Sequence, residues 1–168
     1  MSVLIAYAGA SASTVEIARQ LADRLVKAGF TALVRPIEQV ESVRPYRAVL
    51  LGSELREQAL LPELGQFLSR FSAPLSALPV WSFSNAELGA PIPTFHRVRE
   101  HRHFSGSFQR SGTRRLGDLF LKICGGSSGD HRDWRQVNAW AADITRELQH
   151  IDHLKERRRL HLSVRGRP

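Results

Sequence analysis

Residues 9–14 read Gly-Ala-Ser-Ala-Ser-Thr, a run of small side chains carrying three hydroxyls, Ser11, Ser13 and Thr14. At the start of a helix such a run offers free backbone N–H groups beside the hydroxyls, and the two together suit a phosphate. The run contains no lysine, so it is not a Walker-type nucleotide loop, and the chain has no G-x-G-x-x-G fingerprint for a dinucleotide. A simpler role also fits Ser13: with Glu16 three residues on, it has the spacing of a capping box.

A second group is the run His96-Arg97-Val98-Arg99-Glu100-His101-Arg102-His103, flanked by Phe95 and Phe104. It reads either as a solvated loop or as a cationic rim that greets carboxylates or anionic headgroups. Asp130, His131 and Asp133 have the residue types of an acid–base cluster, although Asp133 is well placed to cap the last helix with Gln136 three residues later. Cys124 is the single cysteine, which excludes an intrachain disulfide and every multi-cysteine zinc pattern. The histidines form no H-E-x-x-H pair, and no metal is expected.

The elements that must hold these groups follow from hydropathy. Val3 to Tyr7 is a short apolar run that reads as a buried parallel strand. Ile17, Ala18, Leu21, Ala22 and Leu25 share one face of the helix that follows, and Gly29 ends it. Thr31 to Arg35 and Ala48 to Gly52 read as two more strands. Pro62 opens a second helix with its stripe at Leu61, Leu64, Phe67, Leu68 and Phe71. Leu78 to Phe83 reads as the next strand, with Trp81 in the core, and a short strand is expected near Phe104 to Phe108. A helix over residues 114–124, a turn over 125–129 and a last helix striped by Trp134, Val137, Ala141, Ile144, Leu148 and Ile151 complete the pattern. Strands alternating with helices predict an α/β domain built on a parallel sheet. In such sheets ligands bind at the carboxyl ends of the strands, where strand order reverses.

Charge is concentrated in two places within a net +8. Residues 91–115 carry six arginines against Glu100, and residues 152–168 carry one lysine and five arginines against Asp152 and Glu156. The rest is close to neutral, which divides the chain into a domain at 1–151 and a basic tail at 152–168. Either basic region suits an anionic partner. There is no nucleic-acid motif, and the tail lacks the interleaved aromatics of a single-strand platform. No apolar run is long enough to span a bilayer, and the start of the chain lacks the basic region of a signal peptide. The expected compartment is the cytoplasm, with the inner face of the membrane as a peripheral docking surface.

Over residues 2–150 the chain resembles flavodoxin-like proteins, in particular the short single-domain kind typified by the menaquinone-dependent protoporphyrinogen oxidase. The resemblance is carried by Leu4-Ile5-Ala6-Tyr7-Ala8 with Ser13-Thr14-Val15-Glu16-Ile17-Ala18, by Ala48-Val49-Leu50-Leu51-Gly52-Ser53, by Phe104-Ser105-Gly106-Ser107, and by Leu121-Lys122-Ile123-Cys124-Gly125-Gly126 with Arg132-Asp133-Trp134. It implies a three-layer α/β sandwich around a five-stranded parallel sheet that binds FMN. The FMN phosphate would then rest on Ala10, Ser11, Ala12, Ser13 and Thr14. The flavin ring would lie between a loop at Ser53, Glu54, Leu55 and Arg56, running to Glu57, and a loop at Ser84 and Asn85, running to Glu87.

Three residues depart from the family pattern. Ala12 stands where Gly is usual, and alanine costs about 1–2 kcal/mol if that position needs positive φ. Arg56 and Glu57 stand where an aromatic and Gly are usual, and Glu54 and Glu57 disfavour a negative flavin. Two functions follow. One is an FMN-dependent oxidoreductase that passes electrons between an organic substrate, such as an anionic porphyrinogen, and a quinone or partner protein. The other is a flavin-free module that binds a partner or an anionic surface through its basic regions. A homodimer is compatible with both.

Overall fold

The computed structural model describes residues 2–56, 59–86, 98–105 and 134–165. Strand β1 runs Ser2–Ala8, helix α1 Ala12–Lys27 and strand β2 Ala32–Pro36. After a 3-10 turn at Ile37–Gln39 come β3, Tyr46–Arg56, and the two-residue β4, Ala59–Leu60. Helices α2, Pro62–Arg70, and α3, Ser72–Ser76, lead to β5, Val80–Ala86. Strand β6 is His101–Ser105, and α4 is Trp134–Arg165.

Five of the strands lie parallel in the order β2-β1-β3-β5-β6. The chain steps from β1 outward to β2 and then crosses to the other side of β1 for β3, so strand order reverses between β1 and β3. Two-residue alternation sends the buried residues to two sides. Val3, Ile5, Ala48, Leu50, Trp81 and Phe83 face α1 and α4 and form one core. Leu4, Ala6, Val49, Leu51 and Val80 meet Leu64, Phe67 and Leu75 of α2 and α3 in a second. The result is the expected three-layer α/β sandwich around a five-stranded parallel sheet.

Each helix follows from its sequence. The stripe Ile17, Ala18, Leu21 and Leu25 of α1 is fully buried. Gly29, at φ +90°, terminates it. Pro62 occupies the first turn of α2, where a missing N–H costs nothing. In α4, Val137, Trp140, Ala141, Ile144 and Leu148 are buried at the spacing of one helical face.

Four expectations shift. β5 begins at Val80 rather than Leu78, and β6 covers 101–105 rather than 104–108. β3 continues past Gly52 to Arg56, because Leu55 and Arg56 pair antiparallel with Leu60 and Ala59. The N-cap of α1 sits two residues ahead of its expected place, at Ser11, with Ser13 inside the first turn. The helix expected over 114–124, the turn over 125–129, Cys124 and the group Asp130, His131 and Asp133 lie outside the described residues.

Candidate functional site

The carboxyl ends of β1, β3 and β5 stand side by side. Ala8 pairs with Ser53, and Ser53 with Ser84. One step further, Glu54 pairs with Asn85. The segment from β1 to α1 turns over this edge at Gly9, whose φ of +91° lies in the region that favours glycine. A Cβ there would also come within 2.7 Å of Cδ of Glu54. Glycine therefore meets two demands at once, an unusual backbone angle and the close approach of the Glu54 carboxyl group.

Ser11 stands at the N-cap with no side-chain capping bond, and no acidic residue occupies the first turn. Its hydroxyl lies 2.9 Å from that of Ser13. Thr14 is completely buried, and its Oγ1 has no hydrogen-bond partner. A buried hydroxyl without a partner costs about 1–3 kcal/mol. Here it sits in the first turn of a helix whose leading N–H groups carry the positive end of the dipole. An anion accepting from these N–H groups and from Thr14 offsets that cost, so the residues present fit a phosphate. Ala12 opens α1 in the helical conformation, so its Cβ carries none of the left-handed strain considered above. Ala10 is exposed beside it.

The second and third expected flavin loops are different in kind from a loop. Ser53 and Glu54 belong to β3, as do Leu55 and Arg56, which are held by the pairing to β4. Ser84 and Asn85 belong to β5. Ser53 and Ser84 are buried in the sheet. Ser53 donates to its neighbour's carbonyl, Glu54 O, at 2.8 Å, and Ser84 is committed to two histidines. Their hydroxyls therefore support the edge from beneath instead of lining it. Leu55, Arg56 and Asn85 are placed by backbone register alone.

The basic run also changes character. His101, Arg102 and His103 are strand residues, so they alternate. Arg102 joins Glu100 at 2.6 Å and Asp143 of α4 at 3.8 Å. Arg99 pairs with Glu147 and lies over the Trp81 ring. Trp140 donates to Glu100 at 2.8 Å. These two arginines are occupied in fastening α4 to the sheet and are not offered to an external carboxylate. His96 and Arg97 lie outside the described residues.

On the opposite side of the same two strands is a group the sequence reading did not single out. Ser82 Oγ lies 2.7 Å from His101 Nδ1, Ser84 Oγ 3.0 Å from His101 Nε2, and Ser84 Oγ 3.2 Å from His103 Nδ1. Burial and the neighbouring His103 hold His101 below its ordinary value of 6.5. The signal was present as two matched alternations, Ser-x-Ser and His-x-His, hidden by assigning the histidines to a charged loop. Among the described residues no group of three or more His, Cys, Asp or Glu could hold a metal. No described helix is long and apolar enough to cross a membrane.

The profile of the flavodoxin domain family matches residues 4–109. No curated protein matches the sequence. Among solved structures, the chain is similar to a flavodoxin from the domain Archaea, with a TM-score of 0.61 and 11% identity over 89% of this chain and 100% of that one. It is similar to the flavo di-iron protein H90A mutant from Thermotoga maritima, with a TM-score of 0.60 and 16% identity, covering 88% of this chain but 36% of that longer one. It is also similar to the Fusobacterium nucleatum flavodoxin bound to flavin mononucleotide, with a TM-score of 0.55 and 11% identity over 87% and 98% of the two chains. At such identities the likeness speaks for the fold, and the family profile, spanning more than half the sequence, places the chain among its members. The protein belongs to the flavodoxin domain family.

Proposed function

We propose that the protein is an FMN-dependent oxidoreductase acting between a reduced organic substrate and a quinone or a partner protein. The observation that carries this reading is the buried, unpartnered Thr14 hydroxyl in the first turn of α1, above a loop that Gly9 lets turn. Ser11, Ser13, Thr14 and the first N–H groups of α1 would hold the phosphate. FMN supplies the hydride and electron chemistry when bound, while the protein binds, orients and tunes it. Glu54 acts against an electron-rich flavin by its charge, so the chain favours release of electrons to an acceptor over their storage. An anionic substrate such as a porphyrinogen remains the finer part of this reading.

The test is the visible spectrum of the purified protein after addition of FMN and desalting, repeated with Thr14→Val. Retained flavin absorption is the expected result. A hydrogen bond to a charged group is worth about 1.5–3 kcal/mol, so the variant should bind FMN roughly tenfold more weakly or worse. Folding stability should hold or rise, because the unsatisfied hydroxyl is gone. A colourless wild-type protein under both conditions would overturn the flavin reading.

A second reading is favoured by α4. Residues 153–159 are exposed on every side of the helix and include Lys155, Arg157, Arg158 and Arg159. They support peripheral docking on an anionic membrane surface, with or without flavin. Co-sedimentation with anionic vesicles should fall steeply as salt is raised and should be lost in a chain ending at Asp152. Binding that ignores salt would count against it.

A further inference from the structure

The two strands beside the site carry, on the side away from α4, a connected row of four polar side chains. Its links are Ser82 to His101, His101 to Ser84 and Ser84 to His103, at 2.7, 3.0 and 3.2 Å. The row ends at His103 Nε2, which is buried and has no hydrogen-bond partner. Each link holds one proton, so the row can be arranged in only two ways. In one, His103 carries its proton on Nε2, which leaves a buried N–H donor orphaned. In the other, His101 Nδ1 donates to Ser82, Ser84 donates to His101 Nε2, and His103 Nδ1 donates to Ser84, so that His103 Nε2 is a bare lone pair. Orphaned buried N–H groups are the rarer and costlier kind, so the second arrangement is preferred.

We infer that His103 is a proton acceptor and donor serving the carboxyl-end site, and that Ser82, His101 and Ser84 are positioning residues that fix its tautomer. Ser84 is paired in register with Ser53 on β3, and His103 with Ser84. His103 is thus two residues short of the end of β6 at Ser105, about 7 Å along the strand, and its register partner Ser84 is likewise two residues inside the end of β5 at Ala86. The row works only if His101 stays neutral, since a charged His101 would donate from both nitrogens and reverse Ser84. Burial and its neighbour His103 favour that neutral state. The described charged groups on the elements of this side are Arg35 on β2, Glu38 in the 3-10 turn and Glu63 and Arg70 on α2, all exposed, while Glu54, in register with Asn85 and Phe104, belongs to the α4 side. Glu100 and Arg102 are engaged on the α4 side.

The delivery half of this inference rests on the proposed flavin reaction. Oxidation of the reduced organic substrate releases two electrons and two protons. His103 Nε2 takes up one of these protons and gives it up where the electrons arrive, and the other proton leaves to water. The N–H bond breaks, its electron pair stays on nitrogen, and the Nδ1–H bond to Ser84 is untouched. The ring returns to the tautomer in which it began.

Two measurements test the two halves separately. The first is nitrogen NMR of the imidazoles in protein without flavin. His103 should carry its proton on Nδ1 with a bare Nε2. Ser84→Ala should abolish that preference, and Ser84→Thr should restore it. A wild-type His103 protonated on Nε2, or a tautomer indifferent to Ser84→Ala, would sink the positioning chain. The second measurement is the pH profile of flavin reduction in FMN-loaded protein. His103→Asn should slow reduction about a hundredfold and remove the break in the profile. An unchanged profile would overturn delivery by His103. A protein that retains no FMN would remove the delivery half together with the flavin reading, while the tautomer result would stand on its own.

Discussion

Strands β5 and β6 are one ribbon with two unlike sides. Toward α4, Trp81, Phe83, Phe104 and Trp140 are at most 4% exposed. Phe104 and Phe83 stand 5.6 and 6.3 Å from the Trp140 ring. Toward the other side, the residues between them are Ser82, Ser84, His101 and His103, joined by hydrogen bonds. The backbone is shared, so side-chain chemistry alone makes the difference. Aromatic surface is held by area removed from water and tolerates small shifts. Hydroxyls and imidazoles are held by direction, and each loses its gain when a partner is missing. One side fixes the ribbon in place, and the other gives it something that can exchange a proton.

The largest break in that contrast should come from Trp140→Ala. It empties the centre of the aromatic side and removes the donor to Glu100. Losing a buried tryptophan costs about 3–5 kcal/mol, readable as a lowered midpoint in urea unfolding. A loss below about 1 kcal/mol would mean that the aromatic side is not what holds α4.

The polar side should show itself in pH dependence. His101 is held below 6.5 when folded, so below about that pH the unfolded chain takes up a proton that the folded chain resists. Stability should therefore fall as pH drops below 6.5 and level off once folded His101 also charges, and above that range His101 adds no slope. Comparing unfolding curves of the wild type and His101→Asn isolates the effect. An equal slope in both would show that His101 is not the group responsible. The smallest effect belongs to the rim. Asp143→Asn removes an ion pair to Arg102, in which both side chains are about 40% exposed, and a second, to Arg146 one turn on. Such pairs are worth about 0–1 kcal/mol, and the difference should shrink in high salt.

These two sides also show how far the sequence could be followed. Trp81 and the stripe of α4 were legible because apolar residues at strand or helix spacing have little alternative to a core. Gly9 to Thr14 were legible as the turn into α1, because small residues and hydroxyls between a strand and a helix favour a turn and a helix start. The unpaired state of Thr14 Oγ1 was not, since it depends on what packs around it. The loop that the resemblance implies at Ser53 to Arg56 is strand instead, because Leu55 and Arg56 find partners in Leu60 and Ala59 that only the fold reveals. His101 and His103 were misread for a related reason. In a run so rich in cations, period-two alternation is masked by charge, and the α4 acids that meet Arg99 and Arg102, Glu147 and Asp143, lie 48 and 41 residues away.

Helix α4 is continuous from Trp134 to Arg165, yet its two halves owe their existence to different things. A free peptide of the outer length would be a marginal helix, because the first turn is costly to form and a short segment repays it poorly. The half that packs on the sheet supplies that first turn already made. The outer half needs only propagation, adding one turn to the next over about 20 Å. Amide exchange should therefore quicken steadily from Leu148 outward, as in a zipper closed at one end. Whatever grips Arg157 to Arg159 would close it from the other, and slowed exchange there would report the grip without any change in the body of the fold.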